Sequence, residues 1–308
     1  MTLQQLRYVV AIDNHRSFAL AAEALGVTQP TLSGMVRKLE EELDVTLFER
    51  DSRKVATTAI GSEIAAQARR VLMEADRVKE IVSESKGAVS GDLRLAIGPS
   101  IAPYILPDFI RIYMEEYAGV SLSVEEMRPE AMVKALREGV IDAGIATAGN
   151  GSGDIYEIPL YTERFCVYLS ESCRRKLPVF QPADLEHEHL WVMKEVQCLR
   201  ESAFSFCKAR RGGRHVYEAG NIETLIRIVD ANGGYTIIPE MHLPMLTPEQ
   251  RNNVRHIDGD HLSLRKVSLY IRRDYVRERM LNTITDTLKR FMPEGMLSPA
   301  LLRSGLRL

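Results

Sequence analysis

The segment QCLRESAFSFC, from Gln197 to Cys207, has the residue types and spacing for thiol chemistry, and it carries two of the four cysteines. Leu199, Ala203 and Phe206 recur between them at helical intervals and neither Gly nor Pro interrupts the run, so the spacing predicts a helix. Nine residues of helix rise about 13 Å and turn about 900°, which sets Cys198 and Cys207 on opposite faces. A disulfide requires Cα atoms within about 7 Å. One segment therefore cannot hold an intact helix and a Cys198–Cys207 disulfide at once. Two covalent states with two folds of one segment are what a redox switch needs. Spacing alone leaves a plainer alternative open, in which both are inert thiols packed as small hydrophobes.

The other candidates for chemistry are weaker. Cys166 alternates with apolar residues in ERFCVYLS and is expected in the core, whereas Cys173, beside Arg174 and Arg175, is expected at the surface. HEH at 187–189 has no Cys at ligand spacing and reads as a solvated loop, so no metal is expected. KARRGGR at 208–214 reads as a solvated basic loop. No P-loop, GxSxG or HExxH is present, and no cofactor is expected. Ser100 follows the short apolar run DLRLAIG, at the carboxyl end of a predicted strand where parallel sheets hold ligands. A helix cap is its plainer role.

These residues must be positioned by a chain of 308 residues, 45% hydrophobic, with a net charge of −2. Four cysteines in such a length are no disulfide framework, which points to a reducing, cytoplasmic compartment. No apolar run reaches the roughly 18 residues of a membrane span, and MTLQQLRYVV lacks the pattern of a signal peptide.

Residues 1–57 predict a small helical domain. Leu3, Leu6, Val9, Val10 and Ile12 mark a first helix, Ser17 caps FALAAEAL, Gly26-Val27 turns the chain, and Thr28 caps a third helix with Pro30 in its first turn. Two short helices around a Gly-containing turn form a helix-turn-helix pattern. Gln29, Ser33 and Arg37 share one face of the third helix, and Gln and Arg are types that read base edges. VTLFERDSRKVATT reads as a two-stranded wing with Arg50, Arg53 and Lys54 in reach of phosphate. Seven basic residues against eight acidic ones leave this domain at −1, with Glu40, Glu41, Glu42 and Asp44 grouped at the far end of the third helix.

Ile60, Ile64, Ala68, Val71, Leu72, Ala75, Val78 and Val82 predict one helix over about 58–88 with a single apolar seam, a connector about 45 Å long that pairs with another copy. SKGAVSG marks the next boundary, at 85–91. From Asp92 the order β-α-β-α-β predicts a parallel sheet, with PEAMVKALREG as a helix ended by Gly139. A second α/β unit is expected to begin near Tyr161 with ERFCVYLS. KVSLYIRRD adds a strand from about Lys266, and a last helix is expected from Glu278 to Phe291. The expected domains are 1–57, 58–90 and 91–308, the last split into lobe I (about 91–161 and 267–308) and lobe II (about 162–266) around a crevice.

Read as a whole, the chain resembles the LysR-type transcriptional regulators. FALAAEALGVTQPTLSGMVRKLEEELDVTLFER carries the resemblance in the first domain, with GVIDAGI and GGYTIIP further on. Within that family LFERDSRKV, GPSIAPYILP and QCLRESAFSFC with NIETL resemble its peroxide-sensing members. The resemblance implies a winged helix-turn-helix, a linker helix and two lobes of periplasmic-binding-protein-like type. It implies a homotetrameric activator, a dimer of dimers, with promoter DNA, hydrogen peroxide, RNA polymerase and a cellular thiol reductant as partners and no membrane. It implies that Cys198 is peroxidatic and Cys207 resolving; a nucleophilic thiolate needs a lowered pKa, which a helix N-terminus and Arg200 would supply. It also implies DNA contacts from Thr28, Gln29, Pro30, Ser33, Arg37, Arg50 and Arg53, and a pocket that includes the Ser100 hydroxyl and Arg272. Gln197 stands where that group often has His, Glu201 where it has Asp, and Pro129 where it has a second hydroxyl. A metabolite-responsive regulator of the same fold is the main alternative. A thiol peroxidase or oxidoreductase fits less well, since the chain has a helix-turn-helix and no CxxC.

Overall fold

A computed structural model describes residues 1–51, 54–85, 89–149, 151, 153–176, 189–193, 218–219, 221–256, 264–275 and 277–303. The segment from Gln197 to Cys207, KARRGGR, Arg53 and the first two residues of HEH lie outside the described residues.

The first domain follows from capping and one small core. α1 (Leu3–His15) starts at a capping box of Thr2 and Gln5, α2 (Phe18–Ala24) at Ser17, and α3 (Gln29–Leu43) at Thr28, whose hydroxyl accepts from the Thr31 amide. Val9, Ile12, Ala21, Leu32, Val36 and Leu39 bury the inner faces of the three helices. β1 (Phe48–Asp51) and β2 (Lys54–Thr57) pair antiparallel as the wing. The acidic end of α3 has a structural task that the charge count did not suggest. Glu40 accepts from the amides of Leu47 (2.7 Å) and Phe48 (3.3 Å) and so anchors the wing to the helix.

α4 (Ala59–Ser85) spans 27 residues, about 40 Å. Its N-terminal part packs on α1, and Ile64 and Ala65 join the core of the first domain. Further along, Val78 and Val82 are 64% and 53% exposed, so that part of the seam faces away from the chain's own core.

Beyond residue 89, β3 (Gly91–Ile97), α5 (Ala102–Glu116), β4 (Val120–Glu126), α6 (Pro129–Arg137) and β5 (Ala143–Thr147) form the expected parallel unit. β6 (Ile155–Leu169) departs from expectation, because it is one continuous strand of 15 residues and not a strand that starts near Tyr161. Pro159 suggests a break, but it sits opposite Ser268, where the register with the returning strand shifts, and such an irregularity accommodates a residue without an N–H.

After α7 (Glu171–Lys176) come β7 (Val192–Met193), β8 (Glu218–Ala219), α8 (Ile222–Asn232), β9 (Tyr235–Pro239), a 3-10 turn at Glu240–Met245, α9 (Pro248–Arg251), β10 (Val254–His256), β11 (Leu264–Arg272), α10 (Glu278–Phe291) and α11 (Pro299–Arg303). The sheet order is β10-β6-β11-β5-β3-β4, with β9 also on β6. β6 pairs with β11 along its first part and with β9 and β10 along its last five residues, so one strand serves both halves of the α/β region. Tyr161 and Val267 are cross-strand partners, and we propose the division into lobes at that level. Among the described residues no helix is long and apolar enough to cross a membrane.

Candidate functional site

Two regions gather the side chains singled out above. On the first domain, Thr28, Gln29 and Pro30 are exposed at the start of α3, Ser33 is half-buried one turn on, and Arg37 is exposed and paired with Glu41 at 3.0 Å. The helix therefore presents its polar face outward while Leu32, Val36 and Leu39 hold it down. Arg50 stands opposite Val55, and Lys54 opposite Asp51, on the two strands of the wing.

The second region lies where β3 ends. Gly98 through Ser100 turn the chain into α5, and the Ala102 amide donates back to the Gly98 carbonyl at 3.0 Å. Ser100 does not cap that helix, because its N-cap is Ile101 without a side-chain bond. The Ser100 hydroxyl instead accepts from Arg265 Nη1 at 3.0 Å. Arg265 and Glu163 are cross-strand partners on β11 and β6. They form an ion pair of 2.5 and 2.9 Å from Nη2 and Nε, with the two residues only 2% and 1% exposed. Arg265 Nη2 also donates to the Tyr104 hydroxyl at 3.1 Å, and the guanidinium lies 5.5 Å over the ring of Phe165. The other Glu163 oxygen accepts from the Met241 amide at 3.4 Å.

Burial opposes the charge on Arg265, but Tyr104, Glu163 and Tyr161 around it outweigh that and raise its pKa, so it stays a cation. Burial also drives the Tyr161 hydroxyl pKa well up, with Glu163 adding to it, and pushes His242 down toward the neutral form. His242 sets its ring edge-on to Tyr104, 6.3 Å between centroids. The result is a buried, cation-centred cluster on the strand crossing, with one hydroxyl held at the carboxyl end of a parallel strand. Such a cluster can stabilise negative charge that develops beside that hydroxyl.

Arg265 and Glu163 were missed by sequence reasoning, which named Arg272 instead. Seven residues of strand separate 265 from 272, about 23 Å. Arg272 is buried beneath α4, paired with Asp274 at 2.8 Å and donating to the Met73 sulfur at 3.7 Å. The available signal was the alternation in LRKVSLYIR, which points Arg265 and Val267 to one side of the strand. Pro129 opens α6 and offers no hydroxyl.

Cys173 is also corrected, being 1% exposed and not at the surface. On the short helix α7 it faces Val167, Leu169 and Tyr235, while Arg175, two residues on, turns outward to pair with Glu171. Cys166 is buried in the core as expected. Gln197, Cys198, Arg200, Glu201 and Cys207 lie outside the described residues.

Comparison with known proteins gives the family. The "Bacterial regulatory helix-turn-helix protein, lysR family" matches residues 3–62, and the "LysR substrate binding domain" matches residues 86–293. The chain belongs to the LysR family. Its relatives among LysR-family transcriptional regulators include the "Hydrogen peroxide-inducible genes activator" of Dickeya chrysanthemi, 34% identical over 247 residues that make up 79% of this chain and 81% of the relative. A full-length OxyR variant from Pseudomonas aeruginosa superposes with a TM-score of 0.78 at 25% identity, covering 97% of this chain and 98% of that one. A Corynebacterium glutamicum OxyR mutant with H2O2 bound has a TM-score of 0.57 at 27% identity, covering 94% and 92%. The helix-turn-helix match spans α1 to α3, the wing and the start of α4.

Proposed function

We propose that this LysR-family regulator senses hydrogen peroxide through Cys198 and Cys207 and changes its promoter binding accordingly. The observation that carries the proposal is the intact pair in QCLRESAFSFC within a chain 34% identical to a peroxide-inducible gene activator. The Ser100–Arg265 cluster supports it, since it supplies a hydroxyl and a fixed cation in a buried setting.

The chemistry runs in two steps. The Cys198 thiolate attacks one peroxide oxygen, and the O–O bond breaks. The departing hydroxide takes a proton from Ser100 or from water, which solvent restores with the proton that the Cys198 thiol gave up on ionising, leaving sulfenic acid on Cys198 and one water. Cys207 then attacks the sulfenic sulfur, a second water leaves, and the disulfide holds the two electrons' worth of oxidation. A helix N-terminus and Arg200 lower the Cys198 pKa, with Gln197 and Glu201 as neighbours in the motif. A cellular dithiol reverses the disulfide by exchange. Opposite helical faces brought within about 7 Å require the 198–207 segment to unwind or shift. That motion is passed to a homotetramer, a dimer of dimers on promoter DNA, where RNA polymerase is the downstream partner. The chemistry is stoichiometric and not turnover, in keeping with a regulator.

The test is promoter binding by the full chain before peroxide, after it, and after a dithiol. A reversible change in the footprint that tracks the 198–207 disulfide supports the proposal. A footprint that ignores peroxide but responds to a metabolite extract points to the metabolite-sensing alternative.

Two predictions arise on the DNA side. Gln29→Ala should relax base preference by about 1–3 kcal/mol for each bidentate base pairing it removes, read by competition among altered half-sites. Arg50→Ala should weaken binding to all sequences alike and flatten the salt dependence. If both variants bind a cognate site like the parent, α3 and the wing are not the reading surface.

For assembly, Val78 and Val82 are better probes than Ile64, which packs into its own first domain. Glu at both positions should dissociate the oligomer and reduce DNA affinity, because two half-sites must be engaged together. Sedimentation that finds the assembly intact would remove the seam as the contact.

A further inference from the structure

Three parts of the chain meet at one guanidinium. Arg69, on α4, is 7% exposed. Its Nη2 donates to Asp13 Oδ2 at 2.6 Å and to Asn14 Oδ1 at 2.7 Å, both at the end of α1 in the DNA-binding domain. Its Nη1 donates to the Glu138 carbonyl at 3.4 Å, where α6 of the α/β region ends. Asp13 is tied in turn to the wing, since its Oδ1 accepts from the Thr57 hydroxyl at 2.8 Å.

The α/β region closes on the same spot from the other side. Arg272 reaches Met73 of α4, and Gly139 follows with φ +66. A Cβ on Gly139 would lie 3.1 Å from Arg69 Cβ and 3.3 Å from Arg272 Nη1. Beside this contact lies a cavity of about 560 Å³, lined among others by Val10, Leu72, Met73, Arg94 and Ser121. Close packing therefore does not hold the junction around its whole perimeter, and the directed bonds of Arg69 run from α4 to the DNA-binding domain and to the α/β region.

We infer that Arg69 is a specificity-determining residue for DNA: it sets which spacing of two half-sites the assembly accepts, without touching DNA itself. Half-sites one helical turn apart face the same side of the duplex, and a change in that spacing is tolerated only if the DNA-binding domains can re-aim. A junction held by a buried guanidinium that α4 carries, with partners in the other two parts, resists re-aiming. Remove it and the domains tolerate spacings that the parent rejects. The inference rests on α3 being the DNA-reading element, and affinity for an isolated half-site reports that separately.

The experiment uses the full chain and a duplex that it selects from a randomised pool. Affinity is measured at the selected spacing, with about five base pairs inserted to rotate one half-site by roughly half a turn, and for one half-site alone. The parent should discriminate against the insertion. Arg69→Met should reduce that discrimination about tenfold, within the usual range of coupling between sites, and leave isolated half-site affinity unchanged. Arg69→Lys should recover part of it, since an ammonium can reach Asp13 but cannot also bridge to the Glu138 carbonyl.

Gly139→Asn tests the junction from the regulatory side. Asn tolerates the left-handed φ, so the new Cβ against Arg69 and Arg272 becomes the perturbation. It should relax spacing in the same direction. Gln29→Ala should lower half-site affinity and leave the spacing ratio alone. An unchanged spacing ratio in both Arg69→Met and Gly139→Asn would overturn the inference. So would a loss of isolated half-site affinity in Arg69→Met that matches its loss at every spacing, since Arg69 would then serve only the folding of the DNA-binding domain.

Discussion

Replacing Cys198 with serine is expected to abolish the response to peroxide, because a hydroxyl at that position cannot act as the thiolate nucleophile. Cys207→Ser should still form sulfenic acid but lock no disulfide, so its footprint change is lost or short-lived. The other two cysteines should be dispensable for reasons visible in the fold. Burial pushes the Cys166 thiol up to about 11, which keeps it in the unreactive protonated form at pH 7. Cys173, on the inner side of α7, is packed against Val167 and Tyr235. The check is a reporter or footprint assay with peroxide on the four single variants. A full response from Cys198→Ser would exclude the thiol mechanism outright.

Glu163→Ala is expected to destabilise the chain by about 3–5 kcal/mol, the usual result of leaving one partner of a buried ion pair without the other. The pair is almost wholly excluded from solvent, 2% and 0% by side chain, so water cannot take over the role of the carboxylate. Replacing Arg265 and Glu163 together with Met should be much less damaging, because no orphaned charge remains. Urea unfolding of the two variants tests this. Equal losses in the single and double variants would mean that packing, and not charge, holds the crossing of β6 and β11. The double variant should also slow Cys198 oxidation, since Ser100 loses its Arg265 partner.

Much of the architecture was legible because local signals were strong. Ser17 and Thr28 announced their helices, and both accept the capping bonds expected of them. The run from Glu278 to Phe291 carried a clean amphipathic period and is helical over those residues. The misses have a common cause, which is that side-chain partners far apart in sequence are invisible to periodicity. Glu40 looked like one more acid in a run, yet it holds the wing. Arg265 looked like one basic residue among several, and its partners Ser100 and Glu163 stand 165 and 102 residues away. Cys173 stood beside Arg174 and Arg175, and on so short a helix the inward direction depends on what lies beneath it. The continuity of β6 through Pro159 was not legible either, because the register shift that tolerates a proline is a property of the pair and not of the strand.

In the proposed switch, one segment holds either a helix with two thiols or a disulfide, never both. Hydrogen exchange over 197–207, read by mass spectrometry on the full chain with its disulfides mapped, tests this most directly. In the reduced protein the amides of Arg200 through Phe206 should be protected. After one equivalent of peroxide, with the Cys198–Cys207 disulfide confirmed, that protection should be lost or redistributed. A dithiol should restore it. Identical exchange in the two states, with the disulfide present, would contradict the mechanism.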